Sequence, residues 1–151
     1  MTTLRAKILS TITSALKEGR REEANILRFL MAQVKNREIE LRKREEGLND
    51  EEMLEVIVRE VKKHKDSIAE FQKGARDDLV KKESAELEIL EQYMPAQMGE
   101  DEIKEEVKKA IQESGASKLK DLGKVMNALM PRIKGKADGA MVSKLVKEAL
   151  A

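Results

Sequence analysis

Apolar residues recur every three to four positions along nearly the whole chain, and no stretch alternates with the period of two that a half-buried strand requires. The pattern predicts helices throughout. Leu4, Ile8, Ile12 and Leu16 fall on one helical face, with Thr2 or Thr3 placed to cap it and Gly19 to end it. A second helix is expected near Glu22 to Glu46, carrying Ile26, Leu27, Leu30, Met31, Val34 and Leu41 before Gly47. At about 1.5 Å per residue it would be roughly 37 Å long. Asn49 followed by Glu52 reads as a capping box, opening a third helix through Met53, Val56, Ile57, Val61, Ile68 and Phe71 to Gly74. The short turn between makes these two helices an antiparallel hairpin. A fourth helix, Asp77 to Tyr93, is expected to bury Val80, Leu87, Leu90 and Tyr93 before Pro95 stops it.

Pro95-Ala96-Gln97-Met98-Gly99 has a proline, a glycine and few large apolar side chains, so it is expected to be an exposed linker between domains spanning 1–95 and 96–151. Three shorter helices follow. They run from Asp101 to Ser114 with Ile103, Val107 and Ile111, from Lys118 to Met130 with Leu122, Val125, Met126 and Leu129, and from Gly139 to Leu150 with Val142, Leu145 and Val146. The expected fold is therefore all-α, an N-terminal helical-hairpin domain plus a small C-terminal three-helix bundle. A bundle of that size is marginally stable alone.

Composition narrows the function classes. Charged residues make up 39% of the 151 and hydrophobic residues 40%, with signs so mixed that the net charge is only +1; this suits long solvated helices and not a disordered chain. There is no cysteine, hence no thiol nucleophile, disulfide or thiolate metal site. The N-terminus interrupts its apolar residues with charges, and no 18-residue apolar run occurs, so neither export nor membrane insertion is expected and the cytoplasm is the expected location. Charge is nonetheless uneven. Residues 117–151 carry eight Lys/Arg (Lys118, Lys120, Lys124, Arg132, Lys134, Lys136, Lys144 and Lys147) against Asp121, Asp138 and Glu148, a balance of +5 that leaves −4 for residues 1–116. Such asymmetry marks a candidate anion-binding surface.

The same region holds the one functional signature, Asp121 to Gly139, DLGKVMNALMPRIKGKADG. GKVM at Gly123–Met126, KGKAD at Lys134–Asp138 and the short Val/Leu helix after them resemble the GatB/YqeY family, which comprises small stand-alone bacterial proteins and the tail of the B subunit of the glutamine-dependent aspartyl/glutamyl-tRNA amidotransferase. The resemblance runs the full length and is most specific over residues 121–150. It implies an all-helical fold, tRNA contact and an association with tRNA amidation. Any carbon-nitrogen ligase activity with glutamine as amido-N-donor would belong, by that implication, to the multi-subunit enzyme. This chain departs from the amidotransferase tail by a connection about one helical turn longer, containing Pro131, and by Gly139 where the tail commonly has proline. The stand-alone members fit the longer version better.

The expected nucleic-acid-binding residues are Lys118, Lys120, Lys124, Arg132, Lys134, Gly135 and Lys136, with Gly123, Asp138 and Gly139 as structural motif positions. Asp138 is placed to cap the last helix; the loop glycines Gly135 and Gly139 leave room for phosphate to approach the backbone, but with that carboxylate in place any phosphates are expected on Lys134, Lys136 and Arg132 around the loop and not in the cap itself. Gly123 costs about 1 kcal/mol inside a helix relative to alanine, which close helix packing would offset. Base stacking is not expected, because Phe29, Phe71 and Tyr93 all fall on apolar stripes. Met126, Met130 and Met141 are expected to fill the small core. His64 sits among Lys62, Lys63 and Lys65 and reads as a surface histidine from which a metal would be repelled. No Walker loop, nucleophile motif or acid/base pair stands out, so no catalytic residue, cofactor or metal is expected. The expected function is a non-catalytic module that binds tRNA or an amidotransferase. The alternative is an interaction module whose long charged helices dock a translation or metabolic partner.

Overall fold

A computed structural model describes residues 2–151. Among them the fold is all-helical: α1 (Leu4–Lys17), α2 (Arg21–Glu40), α3 (Asp50–Lys73), α4 (Asp77–Glu91), α5 (Glu100–Ser114), α6 (Leu122–Ile133) and α7 (Gly139–Leu150), with a 3-10 turn at Leu119–Asp121 leading into α6. The chain divides into two compact units, the first ending at Met94 and the second running Pro95–Ala151. Each has its own apolar core.

In the first unit α1 starts where Thr3 Oγ1 accepts the Ala6 N–H at 3.1 Å. The capping box of α3 is complete, since Asn49 Oδ1 accepts the Glu52 N–H at 2.9 Å and Glu52 Oε2 accepts the Asn49 N–H at 3.0 Å. Ile8, Leu27, Leu30, Val34, Leu48, Met53, Val56, Ile57, Val61 and Leu90 close over one another to form the core. Two charged groups lie within that packing. Glu38 is 7% exposed and pairs with Arg5 of α1, and Glu60 is 5% exposed and pairs with Lys63 at 3.1 Å.

α2 ends six residues before the expected Glu46, at Glu40, and is about 30 Å long instead of 37. The stop needs no glycine. Lys43 N–H donates to Glu38 O at 2.7 Å and Arg42 N–H to Ile39 O at 3.1 Å, the paired bonds of a Schellman motif, with Arg42 itself left-handed at φ +56°. The same closure ends α3, through Arg76 N–H to Phe71 O at 2.9 Å and Ala75 N–H to Gln72 O at 3.2 Å, with Ala75 at φ +53°. The left-handed residue is thus Ala75, one place after the glycine expected to provide the stop. Leu16, Phe29 and Leu41, placed on apolar faces by their spacing, are 44%, 54% and 37% exposed. Phe29 therefore leaves the apolar stripe on which its spacing places it.

In the second unit α5, α6 and α7 converge on Ile103, Val107, Ala110, Val125, Leu129, Ile133, Val142, Leu145, Val146 and Leu150. α6 does not stop before Pro131 but continues through it to Ile133. Proline lacks the N–H that would reach Asn127 O, yet so close to the end of a helix only one bond is forfeited and Lys134 N–H still reaches Met130 O at 3.0 Å. Met126 packs against this core, whereas Met130 and Met141 are 37% and 36% exposed and do not fill it.

Candidate nucleic-acid interface

The signature folds into three pieces. Asp121 organises the first, because its Oδ2 accepts the N–H groups of Ser117 at 3.1 Å and Lys118 at 3.3 Å. The Ser117 amide, then the Lys118 amide, with Lys124 and Lys120 nearby, hold its carboxyl below the usual aspartate range. Lys118, Lys120 and Lys124 are exposed around this turn, at the N-terminal end of α6. None of the three forms an ion pair among the described residues.

The second piece is α6 itself. Gly123 is exposed at its second position, and a Cβ placed there would meet nothing within 4 Å. Close helix packing, the expected reason for this glycine, is therefore absent. Its bare backbone faces open space.

The third piece is the loop after α6. Lys134 has φ −55° and ψ 122°, Gly135 has φ +77°, and Lys136 N–H donates to Ile133 O at 2.8 Å. Those angles define a type II turn, whose third residue must be left-handed; Lys-Gly-Lys is the sequence that meets this demand. Gly135 is buried, and its carbonyl accepts Gln97 Nε2 at 2.9 Å. The expectation that this glycine opens the backbone to phosphate is corrected: it shapes the turn that presents Lys134 and Lys136 outward. Met98 N–H donates to Lys136 O at 2.8 Å and the Met98 side chain packs on the core. Pro95–Gly99, expected as an exposed linker, opens the second unit and is tied to the loop through Gln97 and Met98. Sequence reasoning passed over Gln97 and Met98 because their partners lie nearly 40 positions away.

Asp138 occupies the N-cap position of α7 with an extended backbone, and its carbonyl accepts Val142 N–H at 3.0 Å. Its carboxylate, however, accepts no amide of the first turn. The expected side-chain cap is absent because the exposed carboxylate lies away from those N–H groups. Asp138→Ala should therefore change the stability of this unit by less than about 0.5 kcal/mol, where a working cap costs about 0.5–2. Hydrogen exchange of the Gly139–Leu150 amides checks this; markedly faster exchange in the variant would restore the cap. Gly139, the first residue of α7, is exposed with nothing within 4 Å of an added Cβ.

Arg132 stands apart from the lysines. It pairs with Glu113 and, at 3.6 Å, with Glu106, both on α5, so its charge ties α6 to α5. The expected residues do not form one cluster. Lys118, Lys120 and Lys124 lie before or within the first turn of α6 and Lys134 and Lys136 beyond its other end, α6 being 12 residues and about 18 Å long.

A family description, Yqey-like protein, matches residues 5–150. The chain belongs to the YqeY-like family. It is similar over its length to "Altered inheritance of mitochondria protein 41, mitochondrial" of Pyrenophora tritici-repentis, with 30% identity over 148 residues, 95% of this chain and 79% of the relative. The protein of the same name from Kluyveromyces lactis is 39% identical over 70 residues, 46% of this chain and 37% of the relative. An uncharacterized protein of Schizosaccharomyces pombe is 26% identical over 92 residues, 61% of this chain and 72% of the relative. These relatives are fungal, whereas the resemblance pointed to bacterial stand-alone proteins, and the compartment in the first two names is the mitochondrion, not the cytoplasm. Among the described residues no helix is long and apolar enough to cross a membrane.

Proposed function

We propose that this YqeY-like protein is a non-catalytic tRNA-binding module whose C-terminal unit grips phosphates through Lys118, Lys120, Lys124, Lys134 and Lys136. The observation that carries this reading is the segregation of charge within one small unit. α5 has six acidic residues against three lysines, while the segment from Ser117 to Ala151 has eight basic against three acidic. A fold needing only solubility would mix the signs, as the first unit does. α5 also engages the exposed Arg132 in ion pairs through Glu106 and Glu113, so the candidate phosphate contacts are the ammonium groups toward both ends of α6. Beside the second group, the first amides of α7 have no side-chain cap, an arrangement that favours anions at a helix N-terminus. Contacts of this kind position a nucleic acid without reading its bases.

Replacing the five lysines with alanine should lower affinity for different tRNAs by similar factors while leaving the helical content unchanged, since all five are exposed. Electrophoretic or fluorescence titration with several tRNAs measures this. An unchanged affinity, or a loss confined to one tRNA, contradicts phosphate contact. Association with a tRNA amidotransferase is the setting in which the family resemblance would place such a module.

One observation favours a second reading, a protein-docking module. Leu9 and Leu16, seven residues apart on one face of α1, are 47% and 44% exposed. Recovery of the full chain from cells with and without nuclease separates the two: RNA-dependent recovery of partners supports the first, a nuclease-resistant protein partner the second.

A further inference from the structure

The histidine expected at the surface among lysines turns inward. His64, the sole histidine of the chain, projects from α3 toward α4, where its side chain is 13% exposed. Its Nδ1 lies 2.5 Å from Glu83 Oε2 and 3.7 Å from Glu86 Oε2. The carboxylates are three residues apart on α4, hence on one face, and their side chains are 20% and 14% exposed. One imidazole nitrogen and two carboxylate oxygens, from two packed helices, lie within 4.8 Å of one another.

We propose that His64, Glu83 and Glu86 bind a divalent first-row transition-metal ion, of the Zn²⁺ or Co²⁺ type. One imidazole with two carboxylates is a donor set suited to such ions, whereas Mg²⁺ and Ca²⁺ favour oxygen alone. Ligand atoms around a tetrahedral ion at about 2.0–2.2 Å stand roughly 3.3–3.6 Å from each other. The His64–Glu86 separation already has nearly that value, and Glu83 need withdraw by only about 1 Å. The charge arrangement favours a cation as well: two partly buried carboxylates face the one imidazole. Lys62, Lys63 and Lys65, expected to repel a metal, are exposed, and Lys62 and Lys63 pair with Asp66 and Glu60.

Three protein ligands leave a coordination position open. His64, Glu83 and Glu86 line one groove together with Glu22, Asn25, Ile26, Phe29 and Lys82, which gives a further ligand access to such an ion. Open positions of this kind distinguish ions that bind water or a further ligand from purely structural ones.

The test uses the full chain without an affinity tag, so that His64 remains the only imidazole. Co²⁺ titration should give saturable one-to-one binding with visible absorption of a low-coordinate ion, and Zn²⁺ should shift the His64 ring-nitrogen resonances and displace the cobalt. Removal of outer-shell partners of metal ligands costs about 10–100-fold in affinity, so His64→Ala and Glu86→Gln should each cost at least that much. Glu83→Gln, nearly isosteric, covers the case in which either variant fails to fold, as circular dichroism would reveal. No saturable uptake, ring resonances unmoved by Zn²⁺, or an affinity equal in the wild type and a folded ligand variant would overturn the proposal.

Discussion

Leu129→Ala should unfold the C-terminal unit while sparing the N-terminal one. Leu129 is fully buried at the centre of α6, among Ile103, Val107, Val125 and Val146. Truncating a leucine in such a site costs about 2–5 kcal/mol, through lost transfer energy plus the cavity left behind. A unit of 57 residues with no disulfide holds only about 3–5 kcal/mol in total, so one truncation removes most of it. Hydrogen exchange read by mass spectrometry should show α5, α6 and α7 losing protection while α1 to α4 retain theirs, because the two cores share no residue. Equal loss across both units would mean that they fold as one.

Arg5→Ala should be the most damaging exposed-side substitution in the N-terminal unit. Glu38 is 7% exposed and its carboxylate faces the Arg5 guanidinium; without Arg5 a buried charge is left unpaired. Breaking a fully buried pair costs about 3–5 kcal/mol, and since the Arg5 side chain is 32% exposed we expect about 2–3 here. Gly47 completes the arrangement, with φ +76° and an added Cβ only 3.2 Å from Arg5 Nη2. Replacing both partners at once, Arg5→Met with Glu38→Leu, should recover much of the loss, as apolar substitutes for buried pairs often do. A double-mutant cycle in denaturant supplies the coupling energy. Additive single effects would show that the pair contributes only packing.

These contacts show where the chain was legible before folding and where it was not. The 3.6-residue period located all seven helices, and the caps at Thr3 and Asn49 could be read because donor and acceptor are three residues apart. The end of α2 was misplaced because Arg42 takes a left-handed conformation that only glycine announces in a sequence. Pro131 suggested a stop one turn too early, since a proline's damage depends on how much helix follows it. The lysines of the candidate interface were visible from composition, but the withdrawal of Arg132 was not, because Glu106 and Glu113 approach it from another helix. His64 was misread for the same reason: its sequence neighbours are lysines, while its neighbours in space are Glu83 and Glu86 of α4. Asp138 carried the correct cap residue type in the correct place, yet side-chain direction is not written in residue type.

The claim that the basic C-terminal surface holds nucleic acid through phosphates is tested most directly by the salt dependence of tRNA binding to the intact protein. Five lysines neutralising about five phosphates give a log-log slope near −3.5 to −4.5, an affinity loss of roughly 100- to 500-fold between 50 and 200 mM salt. A folded protein that binds no tRNA at 50 mM salt, or binds it with a slope near zero, would contradict the account.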